Sequence, residues 1–383
     1  MQVRTAVMRY LGGATLARGA DAGAAVGFVL LKPTVVGAVL AACLTAPHLL
    51  GPVLARRLDR ARDGRRLIAV VCAAYGVFLA IAALGLDRIP LVLVVLAAAT
   101  AGVCGPLLTG GLSSRLAALV PGDERAQRRA QGLDALSYGI GGTAGPAAAA
   151  ALASLTGARV SLLVLATAAV IAGLLVLSLP AAGNPVPRDE VLSVRQALTL
   201  ILTTGPLRRV MYTTVVASVP GGAIAVIAVA YAPALRVSPG TAGLLAAAYG
   251  FGVLLGSLAV TARPLLGEPE RLVTRAGALM GVAYGLCAAA PGFALAFAGF
   301  TLIGVLNAPF FTATLASRAA YSPPQARAQV FVSMAALKVG GQSAGTAAAG
   351  TALGLGARTL LLIGAALIIA TAAATVLDRR RWP

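Results

Sequence analysis

Few residues in this chain of 383 can do chemistry, and they stand out against an apolar background. Asp21 and Arg18 interrupt one apolar run, and Lys338 interrupts another. A charge at the centre of a membrane helix costs about 2.5–3.5 kcal/mol on insertion scales, so such a residue is read first as functional. Arg18 and Asp21 are three residues apart, which puts them on one helix face. Two readings of Asp21 stand: a proton or cationic-substrate site, or a static pair with Arg18 that fastens its helix. Lys338 has no acidic residue in its own run; it titrates, attracts an anionic substrate group, or snorkels or pairs with Asp21. Asn307 and Gln342 are candidate cavity contacts. Tyr138, Tyr249 and Phe310 supply the scarce aromatic surface, with bundle packing as the alternative. Asp134 suits a structural pair with a basic loop residue. His48, the single histidine, follows Pro47, and a packed or capping role is expected of it rather than a pH switch.

Other chemistries are excluded by what is missing. One histidine in the whole chain leaves no metal-ligand set, and no paired carboxylates or activated nucleophile are spaced for catalysis. No phosphate-binding loop of the Walker type is present, so ATP hydrolysis is not expected. Cys43, Cys72, Cys104 and Cys287 all fall in apolar runs and read as small hydrophobes. A formal net charge of +19 could point to nucleic acid. The arginines, however, lie in short gaps between apolar runs and not along a reading face.

The elements that must position these residues are membrane helices. The chain is 59% hydrophobic and 11% charged, against about 25% charged in soluble domains. Its 45 glycines suit helices that pack closely in lipid. Runs long enough to span a bilayer occupy 11–31, 34–55, 66–86, 90–112, 132–155, 159–179, 207–231, 240–262, 272–290, 292–315, 327–350 and 358–377. Arg18 and Asp21 in the first run argue against a cleavable signal. With the N-terminus inside, Lys32, Arg88, Arg159, Arg236 and Arg358 face outward, Arg18 and Lys338 lie within helices, and the rest of the 31 Lys and Arg face the cytoplasm. That is the positive-inside pattern, with both termini cytoplasmic.

The longest gap divides the chain into a first six-helix bundle (1–180), a cytoplasmic linker with an amphipathic stretch (181–206) and a second six-helix bundle (207–383). The halves resemble each other. Arg129-Ala130-Gln131 leads to Gly141-Gly142 and Gly145, and Arg327-Ala328-Gln329 leads to Gly340-Gly341 and Gly345, roughly 200 residues further on. Leu49-Leu50-Gly51 matches Leu254-Leu255-Gly256 at a similar offset.

Two motifs carry a family likeness. The loop after the second run contains Gly51, Asp59-Arg60 and Gly64-Arg65-Arg66, with about two residues more between the pairs than the family pattern has. The fifth run contains Gly132, Gly141 and Gly145-Pro146. The chain thereby resembles the major facilitator superfamily over its full length, and within it the twelve-helix exporters of drugs and metabolites. The resemblance implies an all-α integral membrane protein with two pseudo-symmetric six-helix bundles. It also implies that Gly51, Asp59, Arg60, Gly64 and Arg65 form a gating loop whose Asp meets the dipole of a helix from the other half. Gly132, Gly141, Gly145 and Pro146 become an exporter motif that seals the cytoplasmic side. Exporters of the family often carry an arginine early in the fourth helix; the stretch Val94–Gly102 has none, which weakens any coupling scheme that needs it.

The expected function is secondary transport by alternating access: proton-coupled efflux of a small amphiphilic molecule, a drug or secondary metabolite. A uniporter or uptake symporter for a small metabolite is the alternative, and a non-transporting sensor or an enzyme is remote. No cofactor is expected beyond a proton gradient. The partners are a small-molecule substrate and the lipid bilayer, without nucleic acid, and the protein is expected as a monomer in the inner (plasma) membrane, spanning it many times.

Overall fold

The computed structural model describes residues 2–181, 187 and 190–381. Residues 182–186 and 188–189 of the expected linker lie outside that set. Every expected apolar run falls in helix: α1 (Gln2–Leu31), α2 (Val35–Thr45) and α3 (Gly51–Asp59) joined by a 3-10 turn, α4 (Gly64–Gly85), α5 (Leu91–Pro106), α6 (Leu112–Leu116), α7 (Glu124–Thr156) and α8 (Ala158–Leu177). The second half supplies α9 (Val194–Thr203), α10 (Gly205–Ala230), α11 (Ala232–Leu235), α12 (Pro239–Ala262), α13 (Pro269–Ala288), α14 (Phe293–Tyr321), α15 (Arg327–Thr351) and α16 (Ala357–Arg381). Among the described residues eight helical spans are long and apolar enough to cross a membrane, or nine if α2 and α3, bent by 48°, count as one. The others, α7, α13 and α15, open on turns that carry charged or polar residues. Several helices run past the expected ends; α1 starts at Gln2, because polar first turns continue a helix that apolar counting stops short of.

Local chemistry sets the boundaries. Asp63 caps α4, its Oδ1 accepting the Arg65 N–H at 3.0 Å. Ser238 does the same for α12 through Thr241. α7 and α8 meet at Gly157 (φ 94°), and Gly356 (φ 79°) immediately precedes α16, left-handed positions that glycine adopts without strain. α9 is the expected amphipathic stretch, burying Ala197 and Ile201 while Arg195 and Gln196 face out.

The helices form two compact units. The first comprises 1–122, 137–198 and 323–336; the second comprises 123–136, 199–322 and 337–383. In the first, α4 packs on α5 and α8, α1 on α8, and α2 on α5. In the second, α14 packs on α12 and α13, and α16 on α10 and α13. The first part of α7 belongs to the second unit and the first part of α15 to the first.

The repeat suggested by sequence is built into the packing. A Cβ at Gly145 would run into the Gly19 carbonyl of α1, and one at Gly345 would run into the Val219 carbonyl of α10. Arg159 donates to the carbonyls of Ala83 and Leu86 at 3.1 and 3.2 Å, closing the end of α4, and Arg358 donates to Ala290 at 3.2 Å beyond the end of α13. The same device recurs at the same place in each half.

Candidate coupling and gating sites

α1 places Asp21 and Arg18 one turn apart, and each has its own neighbours. The Asp21 carboxylate lies 3.5 Å from His48 Nε2, with side chains 15% and 7% exposed. His48 sits in the 3-10 turn Ala46–Leu50 that follows α2, where Pro47 ends the regular helix. Gly105 of α5 covers the pair: a Cβ there would stand 2.7 Å from His48 Nε2 and 3.1 Å from Asp21 Oδ1. Nearby, the Tyr75 hydroxyl donates to the Ala20 carbonyl at 3.3 Å. The result is a carboxylate and an imidazole in contact, partly open on the carboxylate side, and both able to hold a proton.

Arg18 is 3% exposed. It donates to the hydroxyls of Ser137 and, at 2.9 Å, Ser113, and lies 3.5 Å over the Tyr138 ring. The Tyr138 hydroxyl is 3.2 Å from Ser113 Oγ. Arg18 therefore organises a polar cluster of α1, α6 and α7.

In the second unit the Lys338 ammonium stands 4.3 Å from the centre of the Phe311 ring. Asn307, Gln342 and Tyr249 are half-buried on α14, α15 and α12. Phe310 is 4% exposed and lies against Gly277 of α13, a packing position. Asp134 is buried on α7.

The loop after α3 is organised around Asp59, which is 9% exposed. Its two oxygens accept the N–H groups of Ala328 at 2.8 Å and Gln329 at 3.0 Å, in the first turn of α15. A carboxylate on free N–H groups at a helix start satisfies donors the helix cannot pair and faces its positive end. Gly51 makes room for the contact, since a Cβ there would lie 2.6 Å from Val332 Cγ1. Arg56 Nε and Gln329 Nε2 both donate to the Leu192 carbonyl, at 3.2 and 3.1 Å. Arg60 is exposed. Arg65 grips Asp63 with two bonds of 2.9 and 2.8 Å and reaches the Leu179 carbonyl at the end of α8. Those bonds hold the Asp63 carboxyl at about 2, well below its ordinary value. Gly64 lies against the Arg115 guanidinium.

The glycine row of the fifth run does not form one interface. Gly132 meets Thr261 of α12, a Cβ there lying 3.0 Å from Thr261 Oγ1, while Gly141 and Gly145 meet α1 at Arg18 and Gly19. Pro146 is half-buried and the helix runs through it unbroken.

Sequence reading missed two features. One is His48 as the neighbour of Asp21; the signal available was its being the only histidine, placed beside a proline in an apolar run. The other is an ion network in the second unit. Arg209 of α10 holds Glu270 of α13 with bonds of 2.8 and 3.0 Å, Arg379 of α16 reaches Glu270 at 2.7 Å, and Asp378 accepts from Arg208 and Arg209 at 2.9 and 3.1 Å. Arg209 and Glu270 are 3% and 1% exposed.

Charged and polar groups buried among long apolar helices, in two repeated helical units, define a multi-pass membrane carrier. The chain belongs to the Major Facilitator Superfamily, whose model matches residues 6–267. Its members move small molecules across membranes and are not enzymes. The fold is similar to that of solved transporters. A fucose:proton symporter of E. coli is 14% identical, with all of both chains covered and a TM-score of 0.77. A bacterial homologue of the iron transporter ferroportin, in an outward-facing state, is 15% identical over 98% of this chain and 100% of its own, with a TM-score of 0.77. The human organic anion transporter MFSD10 is 15% identical over the same shares, with a TM-score of 0.75. Among curated proteins no match was found.

Proposed function

We propose that this protein is a proton-coupled exporter of a small amphiphilic molecule, a drug or secondary metabolite, working by alternating access in the inner (plasma) membrane with both termini cytoplasmic. The observation that carries the coupling is the contact between Asp21 and His48 inside apolar helices. Two proton-holding groups in contact offer a place where a proton can be taken up on one side and released on the other as water access changes. Asp59 on the first turn of α15 acts as the latch. Releasing it frees two N–H groups and a carboxylate at once, which makes the arrangement two-state. Gly132 packs α7 on α12, while Gly141 and Gly145 pack it on α1; Arg18 and Tyr138 in the first unit, and Lys338, Asn307, Gln342 and Tyr249 in the second, are the groups each unit offers to a substrate. No cofactor takes part, and the monomer is the working unit.

Uptake by symport is the second reading, favoured by the likeness to a fucose:proton symporter. A tolerance screen separates the two. Overexpression should raise tolerance to some toxic compounds, and that gain should disappear with a protonophore. A strain that instead becomes more sensitive, accumulating the same compound, selects uptake.

A further inference from the structure

The first unit contains a cavity of about 230 Å3 that the transport reading leaves unused. It lies beside the contact of Asp59 with α15, and Arg62, Arg65, Arg115 and Arg327 line it together with Asp59 and Asp63. Its acidic groups are already committed. Asp59 holds the N–H groups of Ala328 and Gln329, and Asp63 holds Arg65 and caps α4. Arg65 is committed in turn to Asp63 and the Leu179 carbonyl. Arg115 uses one N–H on the Leu58 carbonyl at 2.7 Å. The Nε groups of Arg115 and Arg327 are buried and have no hydrogen-bond partner among the described residues. The two guanidiniums repel each other, with Asp59 as their shared counter-charge. A buried donor left unmade costs about 1–3 kcal/mol, more when charged.

We propose that this cavity binds a phosphate-type anion held by Arg115 and Arg327, with Arg62 at its mouth. Guanidinium forks match phosphate oxygens. The volume suits inorganic phosphate or a small phosphomonoester and falls below the roughly 300 Å3 at which pockets for larger ligands begin. Tyr10, Ile68 and Val176 supply an apolar wall that strengthens the attraction. Arg115 lies on α6 and Arg327 opens α15, so an anion bridging them reinforces the junction that Asp59 makes and favours the latched arrangement. The site is thus a regulatory one; its regulatory role rests on the reading of Asp59 as the latch, and neither the site nor that role rests on the direction or the coupling of transport. The phosphate group can belong to a soluble ion or to an anionic lipid headgroup.

The test uses the full chain in phosphatidylcholine nanodiscs and follows thermal unfolding. Sodium phosphate should raise Tm by about 3 °C near saturation, and sodium chloride at equal ionic strength should not. A second arm replaces the soluble salt with nanodiscs containing phosphatidic acid. Stabilisation in that arm alone assigns the headgroup, and stabilisation by the salt assigns the soluble ion. Arg115→Gln and Arg327→Gln should remove the response in whichever arm shows it. If either fails to fold, Arg115→Lys and Arg327→Lys, which keep the charge but lose the fork, should weaken apparent phosphate affinity about tenfold. Indifference to both phosphate and phosphatidic acid, or an undiminished response in the arginine variants, would overturn the proposal.

Discussion

Asp21 and His48 have little room around their contact. Gly105 stands against both, so Gly105→Ala should push His48 from its turn and cut transport severalfold while leaving expression intact, which initial-rate assays in vesicles will show. Asp21→Asn keeps the shape and removes the titratable carboxylate; counterflow, which needs no net proton movement, should survive in it while uphill transport is lost. His48→Gln should shift the pH profile of transport more than its maximum rate. Asp63 gives a pH prediction outside the spans. Its pKa is lowered from 3.8 to about 2 in the folded chain, so its contribution to stability is full above about 4 and is lost as pH falls through about 2. Asp63→Ala removes both the cap and the Arg65 pair and should cost about 1 kcal/mol at neutral pH, with the acid-side slope of the unfolding midpoint reduced.

Gly145 and Gly345 do the same work in two units, each letting α7 or α15 lie on a neighbouring backbone. Either residue replaced by Val leaves the helix no way to approach, and each change should destabilise by about 1–3 kcal/mol or more, read as a drop in Tm of the purified protein. These glycines were legible in the sequence because repetition at a fixed offset separates a packing motif from a merely glycine-rich composition. Helix existence was legible too, since long apolar runs leave the backbone no other way to satisfy itself in lipid. Helix ends were less so, because polar first turns continue α1 and α7 beyond the apolar count. The Asp21 neighbourhood was half legible. A lone carboxylate in an apolar run announces itself, but its partner comes from another helix, and no local periodicity links positions 21, 48 and 105. The ion network around Glu270 was hidden for the same reason: its members look like ordinary basic and acidic flanks until three helix ends converge.

Several devices occur twice along the chain. Gly157 and Gly356 turn the chain, Arg159 and Arg358 close helix ends, and the first parts of α7 and α15 each join the other unit. The units differ where their charges sit. The first holds the Asp21–His48 contact and the bonds of Asp59 to the start of α15, while the second carries Lys338 over Phe311 and the buried Arg209–Glu270–Arg379 network. Glu270→Gln leaves two arginines facing an uncharged partner and should destabilise the protein by about 3–5 kcal/mol, seen as early loss of the folded fraction on heating. Proton-coupled export through Asp21 can be measured in inside-out vesicles acidified by respiration, with a compound taken from the tolerance screen. Adding the compound should release protons from wild-type vesicles, seen as recovery of a quenched pH dye, and should release none from Asp21→Asn vesicles of equal protein content. Uphill movement of the compound with no proton release, at equal rates in both proteins, would rule out proton coupling through Asp21.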